Sequence, residues 1–182
     1  MVRNGLMAVA IFVATTNGAD AQMSTPNDPA RLAVKMLGKE FPLTQSYLNK
    51  DAGNPTPGQL HAGLDYGAIR DSKGKITTPI DGQPVRAVKG GTVIYAGGDY
   101  GTVAIFDGTN TTIYLHLKNI RVVADTISVA TGGVIGYVGS KGATAPHCHV
   151  EVRKGKQKFA VGPSSGTSTA ALTIDPFYYL LK

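Results

Sequence analysis

The sequence predicts a mainly β protein built on an antiparallel sheet or a small sandwich, with one short helix near the N-terminus. Of its 182 residues, 23 are glycine and 10 are proline, and none is tryptophan. From Phe41 onward the apolar residues follow a period of two, which is typical of half-buried strands. Short strands at this spacing, separated by glycine-rich turns, favour an antiparallel all-β arrangement.

Five segments are predicted as strands: 91–97, 101–107, 111–117, 134–138 and 147–153. The sequences GGDY and DGTN, which separate the first three segments, are typical of tight turns between antiparallel strands. Towards the C-terminus, GPSSGTST at 162–169 predicts a surface loop, and DPFYYL at 175–180 predicts an apolar tail that docks on the fold.

A short helix is predicted between the polar start of the chain and the first strands. Asp28 is suited to cap it, Pro29 suits its first position, and Gly38 suits its C-terminal stop. The apolar stripe of this helix is predicted to be Leu32, Met36 and Leu37. We expect the helix to be a packing element and not a separate domain.

The first 21 residues predict a signal peptide. Arg3 provides a positive start, LMAVAIFVA at 6–14 has the length of a signal core, and Ala19-Asp20-Ala21 forms a small-residue cleavage site. The alternative is an ordinary buried or interfacial helix. No apolar run approaches the roughly 20 residues that span a bilayer. We therefore expect an exported protein, periplasmic or secreted and associated with the cell wall, that has no transmembrane segment after cleavage.

The formal net charge of +6 predicts an anionic partner but does not select one. A wall polymer, a nucleic acid and a lipid surface would all be attracted. The absence of tryptophan and of an aromatic–basic stacking platform argues against a nucleic acid or polysaccharide binding module. The single cysteine, Cys148, excludes an internal disulfide and a cysteine-only zinc site.

The chain has four histidines, and the first of them precedes a carboxylate by four residues. In an extended strand, His61 and Asp65 point to the same side because residues i and i+4 share a face. Gly63 lies between them on that face, and we expect it to leave open space between the two side chains.

A second cluster follows the same strand logic. His147, His149 and Glu151 share one face of the predicted strand, and the opposite face is uniformly apolar and predicted to be in the core. The residues of that apolar face are Cys148, Val150 and Val152. For Glu151 we expect a solvated or salt-bridged role and not a catalytic one.

The remaining histidine, His116, is the fifth residue of the segment TIYLHL at 112–117. Alternation places His116 with Thr112 and Tyr114, opposite an apolar face made by Ile113, Leu115 and Leu117. The sequence therefore predicts that every histidine points away from the apolar face of its own strand.

Two imidazoles and one carboxylate form the kind of three-ligand set that holds a catalytic zinc and leaves one position to water. These residue types suit zinc better than magnesium or calcium, although manganese, iron and cobalt remain compatible. The two histidines outside such a set are suited to transfer protons or to hydrogen-bond a developing oxyanion.

Taken together, the motifs HxxxD at 61–65 and HxH at 147–149 resemble the lysostaphin-type zinc metallopeptidases, which are peptidase family M23 or LytM-like domains. The resemblance extends from about Phe41 to Leu180 and includes a larger frame of motifs. These motifs are TPI at 78–80, PVRAV at 84–88, GTV at 91–93, YG at 100–101, YLHL at 114–117, VATGGVIG at 129–136, GSKGATAPHCHVE at 139–151, DP at 175–176 and YL at 179–180.

The resemblance implies that His61, Asp65 and His149 bind one zinc ion per chain. It implies that His147 is the general base, and that His116 is its partner and polarises the water or stabilises the oxyanion. It further implies the duplicated hybrid motif fold, whose antiparallel sheet forms a groove for an extended peptide. The substrate implied is a stem peptide or cross-link of peptidoglycan.

The chain departs from the family pattern in ways that remove no ligand. Lys141 and Ala145 stand where the family often has threonine and glycine, and Cys148 replaces a common leucine. The loop changes bear on which peptides are preferred.

The predicted organisation is a signal peptide at 1–21, a linker with a short helix at 22–40, and a metallopeptidase domain at 41–182. Two alternatives stay open. The chain is an active peptidase, or it is a non-catalytic zinc-binding regulator or scaffold of other wall hydrolases. Residues 22–40, or a partner, are also candidates to block the groove.

Overall fold

The computed structural model describes residues 25–49, 60–125, 128–160 and 166–182. The predicted signal peptide and its cleavage site lie outside these residues. The described helices are α1 Asp28–Leu37, α2 Gly166–Leu172 and α3 Pro176–Leu180. The described strands are β1 Leu43–Gln45, β2 Gly63–Tyr66, β3 Ile69–Arg70, β4 Ile76–Thr78, β5 Pro84–Arg86, β6 Gly91–Gly97, β7 Thr102–Phe106, β8 Asn110–Leu115, β9 Leu117–Lys118, β10 Ser128–Val129, β11 Val134–Val138, β12 Cys148–Lys154 and β13 Thr173–Ile174.

The protein is mainly antiparallel β, as the sequence predicts. Its large sheet has the strand order β1-β2-β12-β8-β7-β6-β10, with β13 paired to the far end of β12. A three-stranded sheet, β5-β11-β9, and the pair β3-β4 complete the described strands. The five strands predicted from the sequence are confirmed as β6, β7, β8, β11 and β12, and their ends differ by two residues at most.

Helix α1 covers one face of the large sheet. Its predicted stripe is confirmed, since Leu32, Met36 and Leu37 are buried in the same apolar core as Cys148. The Met36 Sδ and Cys148 Sγ atoms lie 3.8 Å apart, which places the helix against β12. Burial also raises the pKa of the Cys148 thiol, so this cysteine acts as a small apolar side chain, as predicted.

The predicted helix ends are correct at the C-terminus and shifted by one residue at the N-terminus. Gly38 terminates α1 with a φ of 73°, a left-handed conformation that glycine adopts without strain. Asp28 does not cap the helix from outside, because it is the first helical residue and Asn27 takes the cap position. The Asp28 carboxylate instead accepts hydrogen bonds from the backbone N–H and the hydroxyl of Thr25, at 2.7 and 2.8 Å.

The two faces of β8 are the reverse of those predicted. Tyr114 lies directly opposite Val150 of β12 and is buried in the main core, where its hydroxyl accepts a hydrogen bond from the Val88 N–H at 2.8 Å. Ile113 lies opposite Glu151 and belongs to a smaller apolar cluster on the other face. The prediction was wrong because the buried tyrosine finds a hydrogen-bond partner and so behaves as a core residue.

The C-terminal segment differs from the prediction in one place. The predicted surface loop at 162–169 is wrong at its end, because α2 begins at Gly166; residues 161–165 lie outside the described residues. Lys154, at the end of β12, contacts this helix directly, since its Nζ donates a hydrogen bond to the Ala171 carbonyl at 2.8 Å. The docked tail is confirmed as α3, with Phe177 and Leu180 buried. None of the helices in the described ranges is long and apolar enough to cross a membrane.

Candidate metal centre

The pairing of β2 with β12 brings the two predicted motifs together. Asp65 lies directly opposite His149 in this antiparallel register. The Asp65 Oδ1 and His149 Nδ1 atoms are 2.9 Å apart. Side chains at directly opposed positions share a face of the sheet. The register therefore fixes a carboxylate and an imidazole side by side.

His61 enters the same cluster from the segment before β2. Its backbone is held by two hydrogen bonds, from the Leu48 N–H to the His61 carbonyl at 2.8 Å and from the His61 N–H to the Asn49 carbonyl at 2.9 Å. The ring Nδ1 lies 3.2 Å from the Ser46 carbonyl oxygen and must carry the proton, because a carbonyl only accepts. The Nε2 lone pair therefore faces the cluster, 3.3 Å from Asp65 Oδ2 and 3.2 Å from His149 Nδ1.

The sequence led us to expect open space at Gly63 between the two ligands, and this expectation is wrong. A Cβ atom on this residue would lie 2.8 Å from His149 Nε2 and would also collide with the Val150 carbonyl oxygen. The position is therefore a close approach of β2 to β12 and not a gap. Glycine is required here because the neighbouring strand and the His149 ring fill the space that a side chain would occupy.

The three donor atoms fit a small divalent ion. The ligand atoms of His61, Asp65 and His149 all lie within 4.8 Å of one another. The His149 Nδ1 atom lies 2.9 Å from Asp65 Oδ1 and 3.2 Å from His61 Nε2, and the other carboxylate oxygen, Oδ2, lies 3.3 Å from His61 Nε2. Neighbouring ligands of tetrahedral zinc with bonds of about 2.0–2.1 Å are about 3.3 Å apart, so these contacts are of the right size. Two imidazole nitrogens and one carboxylate are also the donor types that zinc prefers over calcium or magnesium.

The electrostatics of the cluster favour positive charge at the donor atoms. Burial raises the pKa of Asp65, but the hydrogen bond and the positive charge of His149 outweigh it, and the pKa lies well below the usual range. Burial lowers the pKa of His149, but the carboxylates of Asp65 and Glu151 outweigh it and raise the pKa to about 10. A metal ion bound at Nδ1 would take the place of the proton that these carboxylates attract.

His147 lies at the edge of the cluster, just before β12. Its Nδ1 is 2.9 Å from the Ala145 carbonyl oxygen and therefore carries the proton. The free Nε2 lies 3.8 Å from Asp65 Oδ1. A neutral His147 thus presents a lone pair beside the three donor atoms without belonging to them.

His116 reaches the site because the strand is interrupted at this residue, and not because of strand alternation. Its φ of 65° is left-handed, and its N–H donates to the Tyr100 carbonyl at 2.7 Å. This left-handed turn directs the His116 ring away from the core face that Tyr114 occupies. The centroid of the His116 ring lies 4.3 Å from the centroid of the His147 ring. His116 therefore lies beside His147 because of its left-handed backbone, and not because of the strand alternation from which its direction was predicted.

The protonation of His116 is set by burial and by one hydrogen bond. Burial lowers the pKa of this imidazole to about 4. Nδ1 lies 2.7 Å from the Lys141 carbonyl oxygen, so the neutral ring keeps its proton there and leaves Nε2 as an acceptor. Ser46, Ala145 and Lys141 were not predicted as partners of the histidines. Each contributes a backbone carbonyl, which has no side-chain signal in the sequence.

Glu151 is fully buried, with an exposed fraction of 0%, so the expectation of a solvated side chain is wrong. The expected ion pairing is present. One carboxylate oxygen, Oε2, lies 3.6 Å from His149 Nε2, and the other lies 3.8 Å from Arg153 Nε. The burial was missed because β12 is a central strand, flanked on both sides only after distant segments have paired with it.

A cavity of about 870 Å³ opens beside this cluster, and Asp65 and His147 form part of its lining. Its other walls come from the start of α1, from residues 40–44 and from residues 67–70. The described part of the 22–40 segment is therefore a wall of this cavity, through Pro26, Pro29 and Ala30.

The fold and this cluster define an antiparallel β protein with a three-donor metal centre flanked by two further histidines. The sequence model of peptidase family M23 matches residues 70–161, slightly more than half of the chain, and the chain belongs to this family of zinc-dependent metallopeptidases. His116, His147 and His149 lie within the matched range, and His61 and Asp65 precede it. No curated protein sequence matches the chain.

Several solved structures share the fold of this chain. The catalytic domain of the antimicrobial peptidase lysostaphin from Staphylococcus simulans superposes with a TM-score of 0.58 at 23% identity, covering 78% of this chain and 93% of that one. A catalytic-domain mutant of the prophage-encoded M23 protein EnpA from Enterococcus faecalis gives 0.53 at 28% identity, covering 76% and 91%. LytU gives 0.52 at 26% identity, covering 76% and 83%.

Proposed function

We propose that this chain is an exported zinc metalloendopeptidase that hydrolyses peptide bonds in the stem peptides or cross-links of peptidoglycan. The observation that carries the proposal is the convergence of five side chains from three separate segments of the chain. Three of them bring donor atoms within 4.8 Å of one another. The other two, His116 and His147, lie beside these atoms with acceptor nitrogens free.

His61, Asp65 and His149 are the residues that would hold one zinc ion per chain, through Nε2, a carboxylate oxygen and Nδ1. When bound, zinc supplies a Lewis acid that activates water at neutral pH and polarises a peptide carbonyl. The Ser46 carbonyl orients His61, and the strand register orients the other two residues. The donor set is thus oriented by a backbone carbonyl and by strand pairing.

His147 is proposed as the general base. Its Nδ1–H is held by the Ala145 carbonyl, so Nε2 is the basic atom and faces the centre. A base in this position accepts a proton from the attacking water and later returns it to the leaving amine. His147 is more exposed than the three donor residues, which suits a group that must contact substrate.

His116 is proposed to orient the water. The sequence left two roles open, polarisation of the water and stabilisation of the oxyanion. The Lys141 carbonyl holds the single proton of the neutral ring on Nδ1, and burial keeps the ring neutral at pH 7 by lowering its pKa to about 4. Nε2 is then an acceptor, which favours the first role, because oxyanion stabilisation needs a donor.

The substrate assignment rests on the lysostaphin-type architecture and on the cavity beside the centre. A cavity of about 870 Å³ that reaches Asp65 and His147 is large enough for residues of an extended peptide on one side of the scissile bond. The net charge of +6 would concentrate the protein near anionic wall polymers. Residues 1–21 are proposed as the export signal, 22–40 as a linker with a helix, and 41–182 as the peptidase domain.

Metal content and wall-digest products, measured on the same purified protein, test the proposal. We expect one zinc per chain and new peptide termini in digested peptidoglycan. A His147→Ala variant serves as the control and should retain zinc but release no products. Zinc without products in the unsubstituted protein would indicate a non-catalytic regulator. A protein that binds no zinc would contradict the proposed centre.

A further inference from the structure

Glu151 is a charged residue in the middle of the large sheet. It lies opposite Gly63 of β2 on one side and opposite Ile113 of β8 on the other, and its exposed fraction is 0%. Neither of these neighbours carries a charge. Burying a carboxylate in such surroundings is strongly unfavourable unless nearby cations or donors compensate for the lost hydration.

Two such groups flank Glu151 on the same face of β12. The side chains of His149 and Arg153 project from the positions two residues before and two residues after it. Oε2 lies 3.6 Å from His149 Nε2, and Oε1 lies 3.8 Å from Arg153 Nε. Arg153 has a second function, because its Nη1 donates to the Phe159 carbonyl at 2.8 Å. His149 is therefore the more specific partner to explain.

The two ring nitrogens of His149 face in different directions. Nδ1 faces the donor cluster, 2.9 Å from Asp65 Oδ1 and 3.2 Å from His61 Nε2. Nε2 faces the Glu151 carboxylate. If Nδ1 binds a metal ion, the remaining ring proton must be on Nε2, where it points at a buried negative charge.

We propose that Glu151 is a positioning residue for the metal centre. Oε2 and Nε2 are 3.6 Å apart, just beyond hydrogen-bond distance. With a metal ion at Nδ1, the carboxylate would close this gap and accept the Nε2–H of His149, which would fix the ring orientation and present the Nδ1 lone pair to the metal. This inference rests on the metal site of the proposed function and adds a residue to it. A carboxylate in this position also makes the imidazole a stronger ligand, because the partly withdrawn proton leaves more electron density on the ring.

His61 shows the contrast within the same centre. Its non-ligating Nδ1–H donates to the uncharged backbone carbonyl of Ser46. A side-chain substitution cannot remove that acceptor, but it can remove the carboxylate behind His149. Gly63 completes the arrangement, since a Cβ atom there would lie 2.8 Å from His149 Nε2 and displace the ring from Glu151.

Glu151→Gln and Arg153→Gln separate this role from a purely structural ion pair. Zinc affinity is measured by competition with a chromophoric chelator, and thermal unfolding reports folding. We expect Glu151→Gln to weaken zinc binding by about 10–100-fold, which is the range typical for losing the hydrogen-bond partner of a metal-binding histidine. Arg153→Gln should leave zinc affinity unchanged, because it retains the carboxylate behind His149.

Two outcomes would overturn the inference and leave the proposed function intact. One is a Glu151→Gln variant that binds zinc as tightly as the unsubstituted protein. The other is an Arg153→Gln variant that loses as much affinity as Glu151→Gln, which would make the ion pair the important feature. An unsubstituted protein that binds no zinc would instead overturn the proposed function, and this inference with it.

A second measurement applies even if Glu151→Gln fails to fold. Nitrogen-15 NMR of the histidine rings in the zinc-loaded, unsubstituted protein identifies the protonated nitrogen of His149. We expect a proton on Nε2 that exchanges slowly with solvent and shows the downfield shift of a strong hydrogen bond. A proton on Nδ1, or an Nε2–H that exchanges freely, would refute the assignment.

Discussion

Asp65 and His149 face each other across the β2–β12 pair, with Oδ1 and Nδ1 2.9 Å apart although 84 residues separate them in the chain. This contact is a property of strand register. A shift of one residue would move every side chain of one strand to the opposite face and separate the two groups. The metal centre therefore depends on features that hold β2 and β12 in this register and at this distance.

Gly63→Ala tests the close approach of the two strands. The added Cβ would collide with the Val150 carbonyl and would lie 2.8 Å from His149 Nε2. We expect the variant to lose about 1–3 kcal/mol of unfolding free energy, as overpacked sites do, and to bind zinc more weakly. Denaturant unfolding and chelator competition measure the two effects.

Gly108→Ala is the matched control for this substitution. Gly108 has a φ of 100° with no atom within 4 Å of its Cβ position, so alanine there introduces backbone strain without a collision near the metal centre. Its zinc affinity should equal that of the unsubstituted protein. Equal zinc affinity in both variants would show that the spacing at Gly63 does not control the centre.

The left-handed backbone of His116 leads to a second prediction. With a φ of 65°, His116→Ala retains a strained conformation, whereas His116→Gly relieves it. We expect the alanine variant to be less stable than the glycine variant by about 1 kcal/mol. Both should retain zinc and lose turnover, because the ring that orients the water is absent.

Comparing the two His116 variants separates strain from catalysis. Unfolding free energy is expected to differ between them, and zinc content and residual hydrolysis are expected to be the same. If the glycine variant regained activity along with stability, the His116 side chain would have no catalytic role. Loss of zinc from both would instead make His116 a part of the metal-binding set.

The local spacing of the motifs was sufficient to predict which side chains share a face within each motif. HxxxD and HxH each place their polar side chains on one side of an extended segment, and alternation correctly buried Cys148, Val150 and Val152. Joining the two motifs required pairing between segments 84 residues apart. That pairing came from the family resemblance and not from the spacing itself.

Alternation failed where distant contacts decide the outcome. Tyr114 is in the core because the distant Val88 N–H satisfies its hydroxyl, and this reversed the predicted faces of β8. His116 escapes the pattern because its backbone is left-handed. Glu151 was placed on the correct face, but its complete burial depends on β2 and β8, which lie on either side of β12.

Ala30→Trp tests whether the cavity beside the centre holds substrate. Ala30 lines this cavity from the first turn of α1, and a bulky ring there would fill part of the space. We expect KM to rise about tenfold or more, as expected for the loss of one well-fitted contact, with zinc content unchanged. Steady-state hydrolysis of a peptide that extends on both sides of the scissile bond measures the effect.

Val34→Trp is the control for the cavity test. Val34 lies one turn further along α1, is 46% exposed, and does not line the cavity. This variant should have the KM of the unsubstituted protein. The same KM increase in both variants would place the effect in the helix and not in substrate binding.

The last prediction concerns the attachment of the C-terminal helix. Tyr179 donates its hydroxyl to Asp107 Oδ2 at 2.7 Å, and the other carboxylate oxygen accepts the N–H groups of Thr109 and Asn110, both at 3.0 Å. Burial raises the pKa of Asp107, but these hydrogen bonds outweigh it and hold the pKa below its usual value.

An aspartate with a lowered folded-state pKa stabilises the protein above the unfolded-state pKa of about 3.9, and that stability is lost as the pH falls through the folded-state pKa. Asp107→Asn should therefore cost stability at pH 7 and progressively less as the pH falls below the unfolded-state pKa. Denaturant unfolding at pH 7 and at pH 3 measures this, with Tyr179→Phe expected to lose about 1 kcal/mol at pH 7 through the missing hydroxyl. A stability difference between Asp107→Asn and the unsubstituted protein that stays constant from pH 7 to pH 3 would show that the charge on Asp107 does not contribute to holding α3 in place.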